Sequence, residues 1–597
     1  LVRSRGLGDV YKRQDNNPAT YATGYIPAGD WHYVALIMRN DGYGLYVDGQ
    51  QKVEKKVTDF DCSKMVQFLN NVSKMYIGST ETSKPWMIDD LKIYRNEITA
   101  KEIARPNIGN GGGQGPGGDD NKFEPIAPIF FNSFDAGMNG CSIYGAGSII
   151  YKGGAFGNVF SNASGAMRSN YLVLPSNVLG QSADTQALTI GVWVNRGNET
   201  ESSAYMWAPL FTAYASHNPT DNGMPMLACQ YRGVLQVNCN GWSDYTDDQN
   251  VNKQNILYHG ENDWLADGQW HYYTAVFTPT TAKVYIDGEI ANEWEIDGTN
   301  NTAAGLFSNG SELQYICLGG NQAWNWGDND PGFWFDDIAI YNQELSKAQI
   351  KAIMGLKTNV AYGNTFSNDA DNMTLKGAGT FVNDETPGFG KIFQNAAGGL
   401  RENYLVFPSG ALSKVGETKE MTINVWLNAS NAGASNTYMW SPVMTGYAEA
   451  PGGNGCPMFA CQYRGALMIN SNGPDNSGDN WCDYTDAQNV AGTNQILHDA
   501  TDWLVDHKWH LYTAVFTPNS AFVYFDGELI NEWAIDGESR GQQCDLETLS
   551  KLGYVCLGGN QAWGWGDPDP GFGFDDIMVY NKALSQAEIK QIMNFKK

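Results

Sequence analysis

A Trp-His pair followed by a hairpin that ends in Asp-Gly occurs three times in this chain of 597 residues. The three units begin at Trp31, Trp270 and Trp509, so each begins 239 residues after the one before it. Repetition at a constant interval is typical of duplicated domains that carry the same supersecondary unit. The sequence therefore predicts one fold used more than once, and functional residues should be sought where the copies differ.

The repeated unit is predicted to consist of paired strands. In the second copy, β-branched and aromatic residues fill 272–277 and 283–286, with Thr278-Pro279 as a turn between them. The Asp-Gly pair that follows readily adopts the left-handed backbone of a tight turn. We interpret these aspartates as turn formers and the neighbouring histidines as structural residues. The residues concerned are Asp48, Asp287 and Asp526, with His32, His271 and His510.

A second shared element follows each hairpin and begins at Met87, Trp334 and Gly573. Its apolar residues first alternate and then recur at spacings of three and four, which predicts a strand followed by a short helix. A hydroxyl residue three positions before Glu or Gln marks each helix start, as in a capping box. The three pairs are Thr99 and Glu102, Ser346 and Gln349, and Ser585 and Glu588.

These motifs are Trp-His before a strand, Y-x-D-G at the hairpin, and D-D-x-x-x-Y before the closing helix. Together with segments 131–135, 169–175 and 188–193, they resemble the bacterial laminin-G-like domains of the concanavalin A-like lectin and glucanase superfamily. The resemblance implies an all-β fold of tandem antiparallel jelly rolls, each a two-sheet sandwich with a short C-terminal helix. It implies little about ligand, because the family includes binding modules, enzyme appendages and adhesion modules.

The composition excludes some classes of partner. The formal net charge is −27 and the sequence pI is about 4.6, which argues against a nucleic-acid or anionic-membrane partner. No stretch approaches the roughly 18 apolar residues of a transmembrane segment. We expect an extracellular or cell-surface protein whose export signal is not present in this sequence.

The predicted organisation has five parts. Residues 1–14 have four basic residues and read as a leader foreign to the natural protein, and 15–104 as the C-terminal part of a truncated laminin-G-like domain. Residues 105–123 form a Gly-rich linker. Two complete laminin-G-like domains follow, at 124–357 and 358–597. Because almost no spacer separates them, we expect the second and third copies to pack as a tandem pair.

The ten cysteines do not form a repeated framework. Only two positions recur, Cys229 with Cys461 and Cys317 with Cys556. Disulfides would normally recur in duplicated domains, so we predict mostly buried thiols. Cys456 and Cys482, both in loops of the third copy, are the candidates for a bridge private to that copy.

No catalytic residues are predicted. Glucanases of the superfamily use an E-x-D-x-x-E strand that places two carboxylates on one face for retaining hydrolysis. Glu295-Ile296-Asp297 begins this pattern but lacks the last carboxylate, and the segment from Ala534 lacks both glutamates. The remaining histidines have no paired nucleophile near them in sequence.

An aromatic and acidic loop distinguishes the second and third copies from the first. It spans 320–332 and 559–571, whereas the first copy is six residues shorter between Gly78 and Asp89. A companion region carries a second aromatic group, next to the Q-Y-R-G turn of the preceding strand. The predicted ligand-binding residues are Trp324, Trp326, Trp242, Asp244, Tyr245 and Arg232 in the second copy, and Trp563, Trp565, Trp481, Asp483, Tyr484 and Arg464 in the third.

Three uses of these loops remain open. Tryptophan faces stack on sugar rings while polar neighbours bond the hydroxyls, which predicts a polysaccharide or glycoprotein glycan as partner. Paired carboxylates could instead hold Ca²⁺, the one cofactor considered, through Asp328 and Asp330 or Asp567 and Asp569. The tryptophans could also merely cap the sandwich. The function predicted is a non-catalytic, lectin-like module; the alternatives are a structural or adhesion spacer and a hydrolase-related enzyme.

Overall fold

We describe the fold from a computed structural model of the chain. The residues described are 34–39, 42–47, 50–56, 123–165, 169–199, 208–215, 226–238, 242–245, 263–295, 306–307, 312–320, 329–398, 402–429, 431–433, 441–447, 458–470, 482–484, 502–534, 546–559 and 568–596. The chain divides into two compact units, Leu1–Gln114 and Gly115–Lys597.

The first unit contains the hairpin of the first copy. Its strands are β1 Val34–Arg39, β2 Gly42–Val47 and β3 Gln50–Lys56, which form an antiparallel sheet in the order β1-β2-β3. Val34 pairs with Val47, as the repeated unit predicts. The Trp-His pair, the Asp-Gly turn and the predicted closing helix of this copy lie outside the described residues.

The second copy forms a sandwich of two antiparallel sheets. Its strands are β4 Phe130–Asn132, β5 Ser142–Tyr144, β6 Ser148–Tyr151, β7 Asn158–Ser161, β8 Tyr171–Leu174, β9 Leu188–Asn195, β10 Pro209–Tyr214, β11 Met226–Gln230, β12 Leu235–Asn238, β13 Trp242–Tyr245, β14 His271–Phe277, β15 Thr281–Ile286, β16 Glu289–Glu295, β17 Tyr315–Leu318 and β18 Trp334–Tyr341. We call the sheet β13-β12-β11-β10-β17-β8-β5 the front sheet. The back sheet is β16-β15-β14-β9-β18-β7-β6, with β4 also paired to β18.

The third copy repeats this architecture. Its strands are β19 Val360–Asn364, β20 Thr374–Lys376, β21 Thr380–Asn383, β22 Lys391–Gln394, β23 Tyr404–Val406, β24 Met421–Asn428, β25 Pro442–Tyr447, β26 Met458–Gln462, β27 Leu467–Asn470, β28 Cys482–Tyr484, β29 His510–Thr517, β30 Ser520–Phe525, β31 Glu528–Ala534, β32 Tyr554–Leu557 and β33 Gly573–Tyr580. The front sheet is β20-β23-β32-β25-β26-β27-β28. The back sheet is β21-β22-β33-β24-β29-β30-β31, with β19 paired to β33.

The hydrophobic core of each sandwich lies between its two sheets. In the second copy, alternate residues of the front sheet, such as Leu172 and Ile316, point inward and meet Ile190 and Phe335 of the back sheet. Leu405, Val555, Ile423 and Phe574 do the same in the third copy. Since successive side chains of a strand point to opposite faces, this alternation also creates an outer face on each sheet.

Five helices accompany the strands in the described parts of the chain: α1 Ser182–Thr185, α2 Lys347–Thr358, α3 Val415–Thr418, α4 Leu546–Leu549 and α5 Gln586–Asn594. The predicted capping boxes of the two closing helices are confirmed. The hydroxyl of Ser346 accepts from the backbone N–H of Gln349, and Ser585 accepts from Glu588 in the same way. Each closing helix covers the outer face of its back sheet: Ile350 and Ile353 pack against Trp193, Tyr272 and Tyr341.

The repeated Trp-His and Asp-Gly motifs are joined by hydrogen bonds. Asp287 has a left-handed backbone, and its Oδ1 accepts from the N–H of Tyr272 at 2.9 Å. His271 lies between two carboxylates, with Nδ1 2.7 Å from Asp287 and Nε2 3.0 Å from Asp267. Burial lowers the pKa of His271, but the hydrogen bonds to these carboxylates outweigh it and raise the pKa overall. The third copy repeats the arrangement with His510, Asp526 and Asp506. These histidines are structural, as predicted.

The second and third copies pack directly against each other, as expected for a tandem pair. Phe595, just after α5, stacks on Phe131 of β4 with ring centroids 4.6 Å apart. Leu356 of α2 lies in the apolar cluster on the outer face of the third copy's back sheet. The backbone N–H of Ile126 donates to the side-chain oxygen of Gln591 at 2.8 Å. The interface between the two copies is therefore formed by their closing helices and back-sheet elements.

Two further sequence predictions concern cysteines and membrane spans. Cys141, Cys229, Cys317, Cys461 and Cys556 are buried thiols that form no disulfide, as predicted. The proposed bridge between Cys456 and Cys482 lies outside the described side chains. Within the parts of the chain that the structure describes, no helix is long and apolar enough to cross a membrane.

Candidate functional site

The outer face of each front sheet, which we call the front face, carries a cluster of tyrosines and several polar residues. In the second copy, Tyr171, Tyr214 and Tyr315 lie on this face beside Cys317 and Ala228. The hydroxyls of Tyr171 and Tyr315 are 3.0 Å apart, and those of Tyr404 and Tyr554 in the third copy are 2.9 Å apart. The front face thus has a tyrosine patch at the same place in both copies.

A hydrogen-bonded polar row continues the front face toward β13. The side-chain amide of Gln230 donates to the oxygen of Gln236 at 3.1 Å, and the Nε of Arg232 donates to the oxygen of Gln230 at 2.8 Å. In the third copy, the Nε of Arg464 donates to Gln462 at 2.6 Å. Arg232 is only 5 % exposed and Arg464 only 4 %. The two predicted ligand-binding arginines therefore lie beneath the surface and hold this row in place.

The companion aromatic region forms the edge strand of each front sheet. By register, Trp242 lies opposite Asn238, Asp244 opposite Gln236, and Tyr245 opposite Leu235. Directly opposite residues of antiparallel strands share a face of the sheet. The position of Asp244 is therefore on the front face with Gln236, whereas the position of Tyr245 is on the face of the core residue Leu235.

The third copy has the same register at this edge. Asp483 lies opposite Met468, and Tyr484 opposite Leu467. Trp481 lies outside the described residues. The edge position shared by Asp244 and Asp483 is thus equivalent in the two copies, while the residue opposite it changes from Gln to Met.

The aromatic loop leaves each sandwich from the front face. The hydroxyl of Thr212, on the front face of β10, donates to the carbonyl of Gly320 at 3.1 Å. A Cβ on Gly320 would lie 2.4 Å from the Cβ of Tyr171, so glycine is required for this close approach. In the third copy, Thr445 donates to Gly559 at 3.1 Å, beside Tyr404. Trp324, Trp326, Asp328, Trp563, Trp565 and Asp567 lie outside the described residues.

The far end of each loop is held by a buried carboxylate. Oδ2 of Asp330 accepts from the backbone N–H groups of Ser169 and Asn170 at 2.7 and 2.8 Å, just before β8. Oδ2 of Asp569 accepts from the backbones of Glu402 and Asn403 at 2.8 Å each, just before β23. Burial raises the pKa of Asp569 to about 6, against the lowering effect of these hydrogen bonds. Both aspartates therefore fasten the loop to the front sheet.

These two carboxylates are also among the predicted calcium ligands. Oδ2 of each is already an acceptor for N–H donors, and such donors compete with a cation for the same oxygen. Among the residues whose placement is described, no group of three metal-binding side chains is close enough to hold an ion. A calcium role for Asp328, Asp330, Asp567 and Asp569 stays a prediction.

The remnant of the glucanase pattern is remote from this face. Glu295 is the last residue of β16, the edge strand of the back sheet, and is exposed. The rest of that pattern in both copies lies outside the described residues, except for Ala534 at the end of β31.

The tyrosine patch was missed at the sequence level, although each strand carried a signal. Tyr171 and Tyr315 open two short alternating strands, and their equivalents Tyr404 and Tyr554 recur in the third copy. The alternation shows that the tyrosines and the leucines face opposite ways, but only the strand order brings β8 and β17 side by side.

A laminin G domain model of the concanavalin A-like lectin/glucanases superfamily matches residues 7–104, 165–351 and 398–590. The chain belongs to this family. The match falls on all three copies, so each is a laminin-G-like segment. No curated protein matches this laminin-G-like chain.

Several solved structures are similar to the laminin-G-like copies at low identity. Domain 4 of a GH43 arabinanase from Geobacillus stearothermophilus, in complex with arabinotriose, is 16 % identical, covers 39 % of this chain and 100 % of its own, with a TM-score of 0.26. Domains LG4-5 of the mouse laminin alpha1 chain are 13 % identical, with coverages of 69 % and 86 % and a TM-score of 0.19. A Ruminococcus gnavus sialidase CBM40 bound to sialyllactose is 12 % identical, with coverages of 33 % and 96 % and a TM-score of 0.23. Similarities at this level of identity do not show which ligand this chain binds.

Proposed function

We propose that the second and third copies are non-catalytic modules that bind a glycan on their front faces, in a secreted or cell-surface protein. One observation carries the proposal. In both copies, the aromatic loop is rooted on the front face at Gly320 or Gly559, and the companion strand is the edge of that same sheet. Two sequence-distant aromatic segments are therefore attached to one surface.

The chemistry of these segments suits a sugar. Tryptophan presents a flat apolar surface for a sugar ring, while Asp, Asn and Gln bond hydroxyl groups. The loop ends at Asp330 and Asp569 are fixed to the front sheet before binding, which reduces the entropy that these ends lose when a ligand binds. The formal charge of −27 favours a neutral glycan over a sulfated or sialylated one.

One observation favours the spacer alternative. Tyr171, Thr212 and Gln230 of the front face are themselves buried, so the chain covers much of this surface. In a spacer, the covered front face would bind no ligand, and the tryptophans would only close the end of the sandwich. The two functions differ in whether the loop tryptophans affect binding without affecting stability.

A glycan array containing neutral polysaccharides, sulfated polysaccharides and sialylated host glycans tests the proposal. We expect binding to neutral glycans by the full chain, and loss of that binding in the double variant Trp324→Ala with Trp563→Ala. Trp86→Ala, in the short loop of the first copy, is the matched control and should bind normally. Absence of any array signal, or normal binding by the double variant, would reject glycan recognition and leave the spacer function.

A further inference from the structure

The interface between the second and third copies is built from one side of each sandwich. The contacts that join the copies include Phe131 with Phe595 and Ile126 with Gln591, together with Leu356 against the third copy's back-sheet cluster. All of these residues belong to back-sheet strands, closing helices or the segments beside them. The closing helices α2 and α5 also contact each other.

Equivalent segments of the two copies also meet in this interface. Asp135 follows β4, and Thr365 and Ser367 follow the equivalent strand β19. Oδ1 of Asp135 accepts from the hydroxyl of Thr365 at 3.0 Å and from that of Ser367 at 2.7 Å. Asn132 and Asn364 each accept, through Oδ1, from the backbone N–H two residues further on, which gives both segments the same local fold. The copies therefore associate through matching surfaces.

This arrangement determines where the two front faces lie. In each sandwich the hydrophobic core separates the front sheet from the back sheet, and the outer face of the back sheet faces the closing helices. Because the copies meet through back-sheet elements, the roots of the two aromatic loops lie across each core from the shared interface. The described residues of each front face all belong to a single copy.

We infer that the chain is a bivalent binder whose front faces take two separate copies of the same glycan, so that its partner is a surface or polymer displaying that glycan repeatedly. The inference rests on the proposed function, since it needs each front face to bind. Binding at one face leaves the second face oriented toward a different glycan chain. For a display that reaches both faces at once, two sites held in one body raise the apparent affinity by about 10²- to 10⁴-fold over one site, without any new contact.

The test uses the full chain and the neutral oligosaccharide that gives the strongest array signal. The oligosaccharide is presented free and, separately, coupled at high density to dextran. Titration calorimetry with the free sugar gives the number of sites per chain, and light scattering with the dextran conjugate reports cross-linking. The variants are Trp324→Ala, Trp563→Ala and both together, with Trp86→Ala as the matched control.

We expect two free oligosaccharides per wild-type chain and strong scattering with the conjugate. Either single variant should bind one oligosaccharide, lose cross-linking, and bind the conjugate at least about tenfold more weakly. One site per chain in the wild type, or cross-linking that persists in a single variant, would overturn bivalency while leaving glycan binding intact. Loss of all binding in either single variant would show one shared site, which contradicts the inference. If no array glycan binds the chain, the proposed function itself fails first.

Discussion

The front and back faces of each sandwich both carry aromatic residues, but they are used in different ways. The back face packs Trp193, Tyr272 and Tyr341 under a helix and contributes to the contact with the other copy. The front face instead arranges hydroxyl and amide groups in a hydrogen-bonded row and provides the root of the variable aromatic loop. Shared motifs therefore build the scaffold, while differences in the loops mark the surface to be tested for function.

Ion pairs also stabilise the back side of each sandwich. Lys357, one residue before the end of α2, contacts Asp336 at 2.9 Å and Asp337 at 3.1 Å. Lys596 contacts Asp575 and Asp576 at 2.9 Å each in the third copy. Coulombic attraction to these carboxylates raises the pKa of both lysines even though burial lowers it, so the lysines stay charged.

The largest effect is expected from Lys357→Ala. Removing the lysine leaves the buried carboxylate of Asp336 without its counter-charge, which should lower the free energy of unfolding by roughly 3–5 kcal/mol. Denaturant unfolding measures the loss. Lys551→Ala is the control, because Lys551 is 71 % exposed in its pair with Glu547 and should change stability by about 0–1 kcal/mol. Equal effects of the two substitutions would contradict the distinction between a buried and an exposed ion pair.

An intermediate effect is expected at Asp135 as pH changes. Burial raises the pKa of this carboxyl to about 7, and the nearby carboxylate of Asp576 adds to the rise, against Lys357 and the bonds from Asn158 and Ser367. The ordinary value is about 3.9, so the folded form binds the proton more tightly than the unfolded form. The stabilising contribution of the protonated Asp135 carboxyl is therefore complete below about pH 4 and is lost as pH rises through about 7.

Asp135→Asn tests this pH dependence, since the amide oxygen can still accept from Thr365 and Ser367. The variant should be more stable than the wild type at pH 8, by on the order of 2 kcal/mol, with little difference near pH 4. Melting temperatures between pH 4 and 8 provide the measurement. Parallel pH profiles for the two proteins would show that Asp135 does not titrate at the interface.

A smaller effect is expected at the histidine of the repeated unit. Hydrogen bonds to Asp287 and Asp267 raise the pKa of His271 despite burial, so protonation stabilises the fold. That contribution is present below the unfolded pKa of about 6.5 and is lost as pH rises through the higher folded pKa. His271→Gln should therefore destabilise the protein by about 1 kcal/mol at pH 5.5, and by less at pH 8. Adding Asp267→Asn to the His271→Gln variant should lower the stability little further. A loss equal to the sum of the two single effects would show that the two side chains are not coupled.

Much of the scaffold could be predicted from the sequence, because it depends on local patterns. Alternating residues identify the strands around Asp287, and the Ser346 and Ser585 capping boxes mark the closing helices. The hydrogen bonds of His271 depend only partly on the nearby sequence. Asp267 lies four residues before His271, but the hairpin must close to bring Asp287 to the other side of the imidazole.

The candidate site depends on longer-range placement, which the sequence does not reveal. The Q-Y-R-G turn suggests an accessible arginine, yet the chain folds Arg232 back onto Gln230 and buries it. The sequence also does not show that Asp330 accepts hydrogen bonds from Ser169 and Asn170, which lie more than 150 residues away. Such partners follow from strand order, and strand order is not encoded in any one segment.

Hydrogen–deuterium exchange of the full chain, with and without the strongest neutral oligosaccharide from the array, tests the division between the faces most directly. Bound sugar should slow exchange in peptides covering β12–β13 and β17, and in the equivalent strands β27–β28 and β32 of the third copy. The closing helices α2 and α5 should exchange at unchanged rates. Protection confined to those helices, with the front strands unaffected, would contradict the assignment of glycan binding to the front faces.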